Sequence, residues 1–230
     1  MTAAQTAAPK ARKGKPTKQQ PAPKVCLVAS GKGGSSKSTF CTHMAVAASQ
    51  AGLRVAVLDL DKQKTAAKWW ERRPEQLPAL DCYVSDLAGS IEALDAIGDA
   101  DLVVIDTPPS LDDYPSQTKE LIKRADFVLV PTGTGFPDTE SASEFMAIVH
   151  DVGGRGAFCL SAVNRKSKSL IEAKRRLNEV GTICPIEVPN YEDVKNVFAA
   201  GVTTLDVDGT RGADDMAAVW TYLRKELGLK

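Results

Sequence analysis

The chain has 230 residues, enough for one sizeable domain with a real core, and its 43% hydrophobic and 25% charged content is ordinary for a soluble globular protein. No apolar run approaches the roughly 20 residues needed to span a bilayer, and the basic N-terminus has no apolar segment behind it, so neither a membrane span nor a secretory signal is expected. Five cysteines without a CxxC pair suit a reducing cytoplasm, and with only two histidines, His43 and His150, neither a zinc site nor a histidine triad is expected.

Net charge is zero but unevenly spread. Residues 1–24 hold six basic residues and no acidic one, leaving 23 basic against 29 acidic residues in the body, a net charge of −6. This segment, rich in Pro, Ala, Gln and Lys, cannot build a core and is expected to be a disordered tail. It is either a solubilising extension or a basic arm that touches nucleic acid.

From residue 24 the apolar, β-branched run KVCLVAS (24–30) predicts a buried strand, followed by a glycine-rich loop. STFCTHMAVAASQAG (38–52) predicts a helix closed by Gly52, and RVAVLDLD (54–61) a second buried strand ending in acids. KTAAKWWERRPEQ reads as helical up to Pro74, with at least one of Trp69 and Trp70 in the core. IEALDAIG is a short helix, and ADLVVIDTPPS a third apolar strand with an acid near its end. Next come a helix (SQTKELIKRA), a strand (DFVLVPT) and a helix with an acidic first turn (DTESASEFMAIVHDVGG). GAFCLSAVNR is a strand, SLIEAKRRLNEVG an amphipathic helix and ICPIEVPN a short strand. YEDVKNVFAAG and ADDMAAVWTYLRKELG complete the alternation. Such a pattern predicts an α/β fold, a mostly parallel sheet flanked by helices on both faces, with its ligand at the C-terminal ends of the strands.

The loop Gly31–Ser38 lies between a predicted strand and a predicted helix, which is what a phosphate-binding loop requires. Its backbone amides would cradle phosphates, Lys37 would hold the β- and γ-phosphates, Ser38 a Mg²⁺ ion and Thr39 an α-phosphate oxygen. Ser36 stands where such loops use glycine. Asp106 ends four apolar residues as a Walker B carboxylate does, placed to reach the Mg²⁺ shell. Asp59 and Asp61 end the intervening strand, where a carboxylate either orients an attacking water or pairs with a loop lysine.

Three segments, KGGSSKST (32–39), LDLDKQ (58–63) and VVIDTPPSL (103–111), resemble in order the deviant Walker A motif KGGxGK[ST][ST], the hxDxDPQ segment and the hhhDTPPxl segment of the ParA/MinD superfamily. The resemblance covers residues 25–230 and is strongest to small ParA-type partition ATPases. It implies an ATP- and Mg²⁺-dependent ATPase that forms a sandwich homodimer on ATP, with Gly33, Gly34, Ser35 and Ser36 as loop backbone. Lys32 would be the signature lysine that reaches the partner subunit's ATP, with Lys37, Ser38 and Thr39 in the roles above. Asp61 would position the hydrolytic water, Asp59 hold the site's geometry and Asp106 reach Mg²⁺ through water. Asn164, which otherwise reads as a turn residue, would contact adenine. Two departures stand out: Ser36 for glycine, which bears on turnover, and Lys62 for proline, a loop change.

The same resemblance implies binding to nucleoid DNA without sequence preference. NRKSKSLIEAKRR supplies Lys166, Lys168 and Arg175 as candidates and GTRGADD supplies Arg211; a solvated helix face explains Lys174–Arg176 equally well. In the last predicted helix Met216, Val219, Trp220, Leu223 and Leu227 form an apolar stripe, read as core docking rather than a membrane-surface face. The expected protein is cytoplasmic and nucleoid-associated. It drives partition of plasmid or chromosomal DNA, with hydrolysis stimulated by a ParB-like partner on the cargo. The alternatives are a positioning ATPase for a non-DNA cargo, a nucleotide-gated scaffold with little hydrolysis, and a small-molecule ligase on the same fold.

Overall fold

The computed structural model describes residues 22–109 and 111–230. The predicted tail, with Lys10, Arg12, Lys13, Lys15 and Lys18, lies outside the described residues except for its last three positions, as does Ser110. In chain order the first elements are β1 (Lys24–Val28), α1 (Lys37–Gln50), β2 (Val55–Asp59), α2 (Thr65–Glu71), β3 (Asp81–Val84) and α3 (Ser90–Ala96). Then come β4 (Leu102–Asp106), α4 (Pro115–Arg124), β5 (Phe127–Thr132), α5 (Phe136–Asp151) and β6 (Gly156–Val163). The chain closes with α6 (Lys168–Asn178), β7 (Val188–Pro189), α7 (Glu192–Phe198) and α8 (Ala213–Glu226). The strands form a parallel sheet in the order β3-β2-β4-β1-β5-β6-β7.

The continuous apolar runs follow from burial on both faces. Along β1, Val25 and Leu27 join the core on one side of the sheet while Cys26 and Val28 join the other. The first core is covered by α4, α5 and α6, the second by α1, α2 and α8. The stripe of α8, Met216, Val219, Trp220, Leu223 and Leu227, is buried in that second core, as expected of a docked covering helix. Among the described residues no helix is long and apolar enough to cross a membrane.

α1 ends as its glycine predicts. Gly52 adopts φ 87°, its amide reaches the Ser49 carbonyl at 2.9 Å and the Leu53 amide reaches Ala48 at 3.1 Å. Trp69 is fully buried and Trp70 lies at the edge. Two expectations change. The short run DCYV forms the edge strand β3, which escaped the sequence reading because it is half exposed and lacks a sustained pattern. The strand expected over 183–190 shrinks to β7, with Ile183 making only an isolated bridge to Phe158.

Candidate nucleotide-binding site

Parallel register decides which strand-end groups meet. Asp106 is in register with Asp59 of β2 on one side and Val28 of β1 on the other, so the loop leaving β1 starts beside two buried carboxylates. The Thr107 hydroxyl donates to the Val28 carbonyl at 3.0 Å and pins these strand ends together. The two acids are handled differently. Asp59 Oδ1 accepts the Asp61 amide at 3.0 Å and Oδ2 accepts the Ala67 amide at 2.9 Å. It therefore fixes both the turn carrying Asp61 and the first turn of α2. Burial raises its pKa despite these amide bonds. Asp61, half-buried at the mouth, accepts the Gln63 amide at 2.9 Å.

Neither oxygen of Asp106 has a hydrogen-bond partner, although the side chain is fully buried. Burial pushes its pKa up to about 7, only partly opposed by the Ser38 hydroxyl, which lies nearby without hydrogen-bond geometry, and by the Lys37 charge. A buried carboxylate left this way calls for a cation. The donors at hand, a hydroxyl and carboxylate oxygens, suit a hard ion such as Mg²⁺. Among the described residues no group of three or more His, Cys, Asp or Glu side chains could hold a metal. Ser38 and Asp106 would hold such an ion, with nucleotide phosphates and water completing its shell.

The raised pKa of Asp106 has a stability consequence. The folded chain keeps the proton that the unfolded chain releases above its ordinary pKa of 3.8, so Asp106 erodes stability as pH rises from about 4 to about 7. Asp106→Asn is expected to stabilise the nucleotide-free protein, on the order of 2 kcal/mol at pH 8. The gain should shrink towards zero near pH 4 in denaturant titrations; a pH-independent difference would contradict this origin.

Ser36 caps α1 with φ 69° and ψ 22°, in the left-handed region, and Gly34 has φ 77°. The loop does place serine where glycine is easier. A non-glycine residue there costs about 1–2 kcal/mol, while glycine loses about 0.5–1 kcal/mol to chain entropy. Ser36→Gly should thus stabilise the fold by roughly 0.5–1 kcal/mol. A melting temperature that falls would reject strain at this position.

Behind Ser36, Lys37 is buried and its ammonium donates to the Lys32 carbonyl at 3.0 Å. Burial lowers its pKa, opposed by the charges of Asp106 and Asp61. Gly33 lies open apart from Pro109, which a Cβ would meet at 3.5 Å, and the Ser35 hydroxyl donates to the Lys32 carbonyl at 3.2 Å. The Lys32 ammonium pairs with Asp138 at 2.7 Å. Thr39 sits in the first turn of α1, where its carbonyl accepts His43 Nδ1 at 2.7 Å. His43 is buried and burial lowers its pKa to about 4, so the ring is neutral with its proton on Nδ1. Its Nε2 then accepts from Thr204, whose hydroxyl is 3.2 Å away.

The structure brings Gly33–Thr39, Asp59, Asp61 and Asp106 to one end of the sheet. Asn164 follows β6 and is engaged as a turn residue, its Oδ1 accepting the Lys166 amide at 3.0 Å. The basic candidates divide. Lys166 and Lys168 are exposed and form no ion pair among the described residues. Arg175 pairs with Glu172 at 2.8 Å and Glu179 at 3.7 Å, and Arg211 with Asp193 at 3.6 Å. Arg211 belongs to the separate 199–212 segment. The first turn of α8, which follows it, approaches the β6–α6 loop through Asp215, which takes Arg165 at 2.8 Å and the Tyr191 hydroxyl at 3.0 Å.

Sequence reasoning missed His43 and Asp138. His43 gave no signal beyond its rarity, because its partners are a backbone carbonyl and Thr204, 161 residues away. Asp138 was visible only as an acid in a helix first turn, a common dipole-favoured position.

A seven-stranded parallel sheet with a glycine loop between β1 and α1, and acids ending β2 and β4, defines a P-loop nucleotide-binding domain. The family model for the CobQ/CobB/MinD/ParA nucleotide binding domain matches residues 26–210, and the chain belongs to that family. It is 32% identical to the Maintenance of carboxysome distribution protein A of Gloeobacter kilaueensis, over 77% of this chain and 79% of that protein. Its fold superposes on a Cyanothece McdA variant in complex with ATP with TM-score 0.70 and 18% identity, covering 91% of this chain and 98% of the other. It also superposes on a putative plasmid partition protein from Borrelia burgdorferi bound to AMPPNP with TM-score 0.69 and 19% identity, covering 88% and 99%.

Proposed function

We propose that this chain is an ATP-driven positioning ATPase whose single ATPase domain is residues 25–230, with residues 1–24 as a basic arm. It binds ATP and Mg²⁺ at the head of α1, pairs with a second copy and holds nucleoid DNA without sequence preference. It hydrolyses ATP when a partner bound to the cargo engages it. The observation that carries the nucleotide half is Asp106, a fully buried carboxylate without a hydrogen-bond partner at the head of the glycine loop.

Bound Mg–ATP supplies the phosphoanhydride to be cleaved and the cation that spreads its charge. Lys37 and the loop amides stabilise the phosphates electrostatically, and Ser38 and Asp106 hold the cation. Asp61 orients the attacking water, and Asp59 fixes Asp61 through its amide. Asn164 contributes the adenine contact. Lys32 acts on the second copy's nucleotide. Ser36, in its left-handed backbone, supports slow turnover without a partner.

The Gloeobacter relative is named for carboxysome distribution and aligns over three quarters of this chain, whereas the plasmid-partition neighbour is similar in fold alone. That supports a large protein body as cargo, with a partner in the ParB-like role on its surface, over a plasmid centromere. Lys166 and Lys168 are the favoured DNA contacts, since Arg175 and Arg211 already face carboxylates.

Sedimentation velocity with and without Mg–ATP, combined with phosphate release, tests the reading. Wild type should dimerise on ATP. Asp61→Ala should still dimerise but turn over roughly tenfold more slowly or worse, with its dimers accumulating on DNA. Undiminished turnover would remove Asp61 from water positioning. DNA retention that ignores ATP, or that does not weaken with salt, would reject the DNA half.

A further inference from the structure

The front of the glycine loop is docked on the first two turns of α5. A Cβ on Gly31 would lie 2.8 Å from the Ser141 hydroxyl and 3.3 Å from the Ser141 carbonyl, so the backbone passes there with no room for a side chain. One residue on, Lys32 Nζ meets Asp138 Oδ1 at 2.7 Å. Asp138 and Ser141 are three apart on a helix and present one face to the loop.

The carboxylate is itself seated. A Cβ on Gly133 would come within 2.7 Å of Asp138 Oδ2, and one on Gly135 within 3.0 Å. The Asp138 carbonyl also accepts the Thr132 hydroxyl at 3.1 Å. The β5–α5 turn therefore presents one oxygen of Asp138 to Lys32 and encloses the other. Lys32 is bound from both ends, since its carbonyl accepts Lys37 Nζ at 3.0 Å.

We infer that Asp138 is a positioning residue for Lys32 that restrains dimerisation by holding the ammonium on its own chain. The inference rests on the reading that Lys32 acts on a second copy's nucleotide. For that, the intrachain pair must open. The same pair holds the Lys32 ammonium on the first turn of α5, so the cross-subunit contact is withheld. Asp138 is then free to take a new donor at the interface. The two side chains are 48% and 36% exposed, so water screens the pair and its restraint is modest.

The test compares Asp138→Asn, which keeps shape and removes charge, with Asp138→Glu, which keeps charge. By sedimentation velocity, Asp138→Asn should lower the ATP concentration for half-maximal dimerisation about 2- to 5-fold, the range of a half-exposed pair. Asp138→Glu should stay near wild type. In the nucleotide-free protein, amide exchange over residues 31–36 should quicken in Asp138→Asn and not in Asp138→Glu. An Asn variant that needs as much ATP as wild type, or more, overturns the inference. So does a Glu variant that behaves like Asn. If wild type itself never dimerises on ATP, the sandwich reading falls, and with it the restraint on dimerisation. Exchange then still reports whether Asp138 holds the loop, and an unchanged rate rejects that as well.

Discussion

Lys37→Ala is expected to weaken ATP binding about 100- to 1,000-fold and to abolish ATP-dependent dimerisation. Lys37 is buried beside Asp106 and Asp61, so no solvent-borne cation substitutes readily for its charge. Truncating one member of a buried, hydrogen-bonded charge set costs roughly 2–5 kcal/mol, a span whose middle corresponds to that loss of affinity. The fold should survive. Asp106 already titrates near pH 7, and loss of the neighbouring cation only moves it further towards its neutral form. Equilibrium binding of a fluorescent ATP analogue, with sedimentation at saturating Mg–ATP, checks both parts. A variant that dimerises at wild-type ATP concentrations would remove Lys37 from the site.

The largest loss of stability is expected from Arg73→Ala, about 3–5 kcal/mol. The Arg73 guanidinium takes both oxygens of Asp206 at 3.0 and 2.9 Å, with side chains only 5% and 0% exposed. It also lies 5.3 Å from the Trp69 ring centre. Burial alone would raise the Asp206 pKa, but Arg73 and the Thr203 amide and hydroxyl outweigh it and hold the carboxyl below its ordinary value. Truncation leaves that carboxylate buried with only Thr203. A depressed carboxyl pKa stabilises the fold above the unfolded value and ceases to do so as pH falls through the folded value. Wild type should therefore lose this contribution in acid, below about pH 4, where the difference from Arg73→Ala should narrow. Urea titration at pH 7 and at pH 3.5 measures both. A loss below 1 kcal/mol at pH 7 would mean that the site relaxes or hydrates.

The same joint explains what the sequence made legible and what it did not. The strands β1, β2 and β4 were readable because burial on both faces demands uninterrupted apolar runs, and their terminal acids stood out against that background. Ser36 was readable because the chain must turn through a left-handed residue before α1, whatever occupies it. Pairings across long separations were not. Lys32 and Asp138 are 106 residues apart, and Arg73 and Asp206 are 133 apart. Each is a common surface residue by type, and only the packing of distant elements makes it anything else. The charge balance of the basic cluster around α6 was legible only in part. Glu172 and Glu179 stand one turn from Arg175 and Arg176 and were visible there, whereas Glu187, which takes Lys174, comes from beyond the helix.

The place of β1 in the sheet bears on how the chain is made. β1, the first strand among the described residues, is a central one, and neither of its neighbours exists when it emerges. β4 pairs with it from Leu102, and β5 joins Cys26 through Phe127, about 100 residues later. At translation rates of roughly 5–20 residues per second, β1 waits about 4–16 seconds with both edges bare, and somewhat longer with one. During that interval KVCLV is an apolar, β-prone segment available to other nascent chains. Yield in a cell should accordingly depend on chaperones that shield early chains, and slowing synthesis between β1 and β5 should lower the soluble fraction without altering the finished protein.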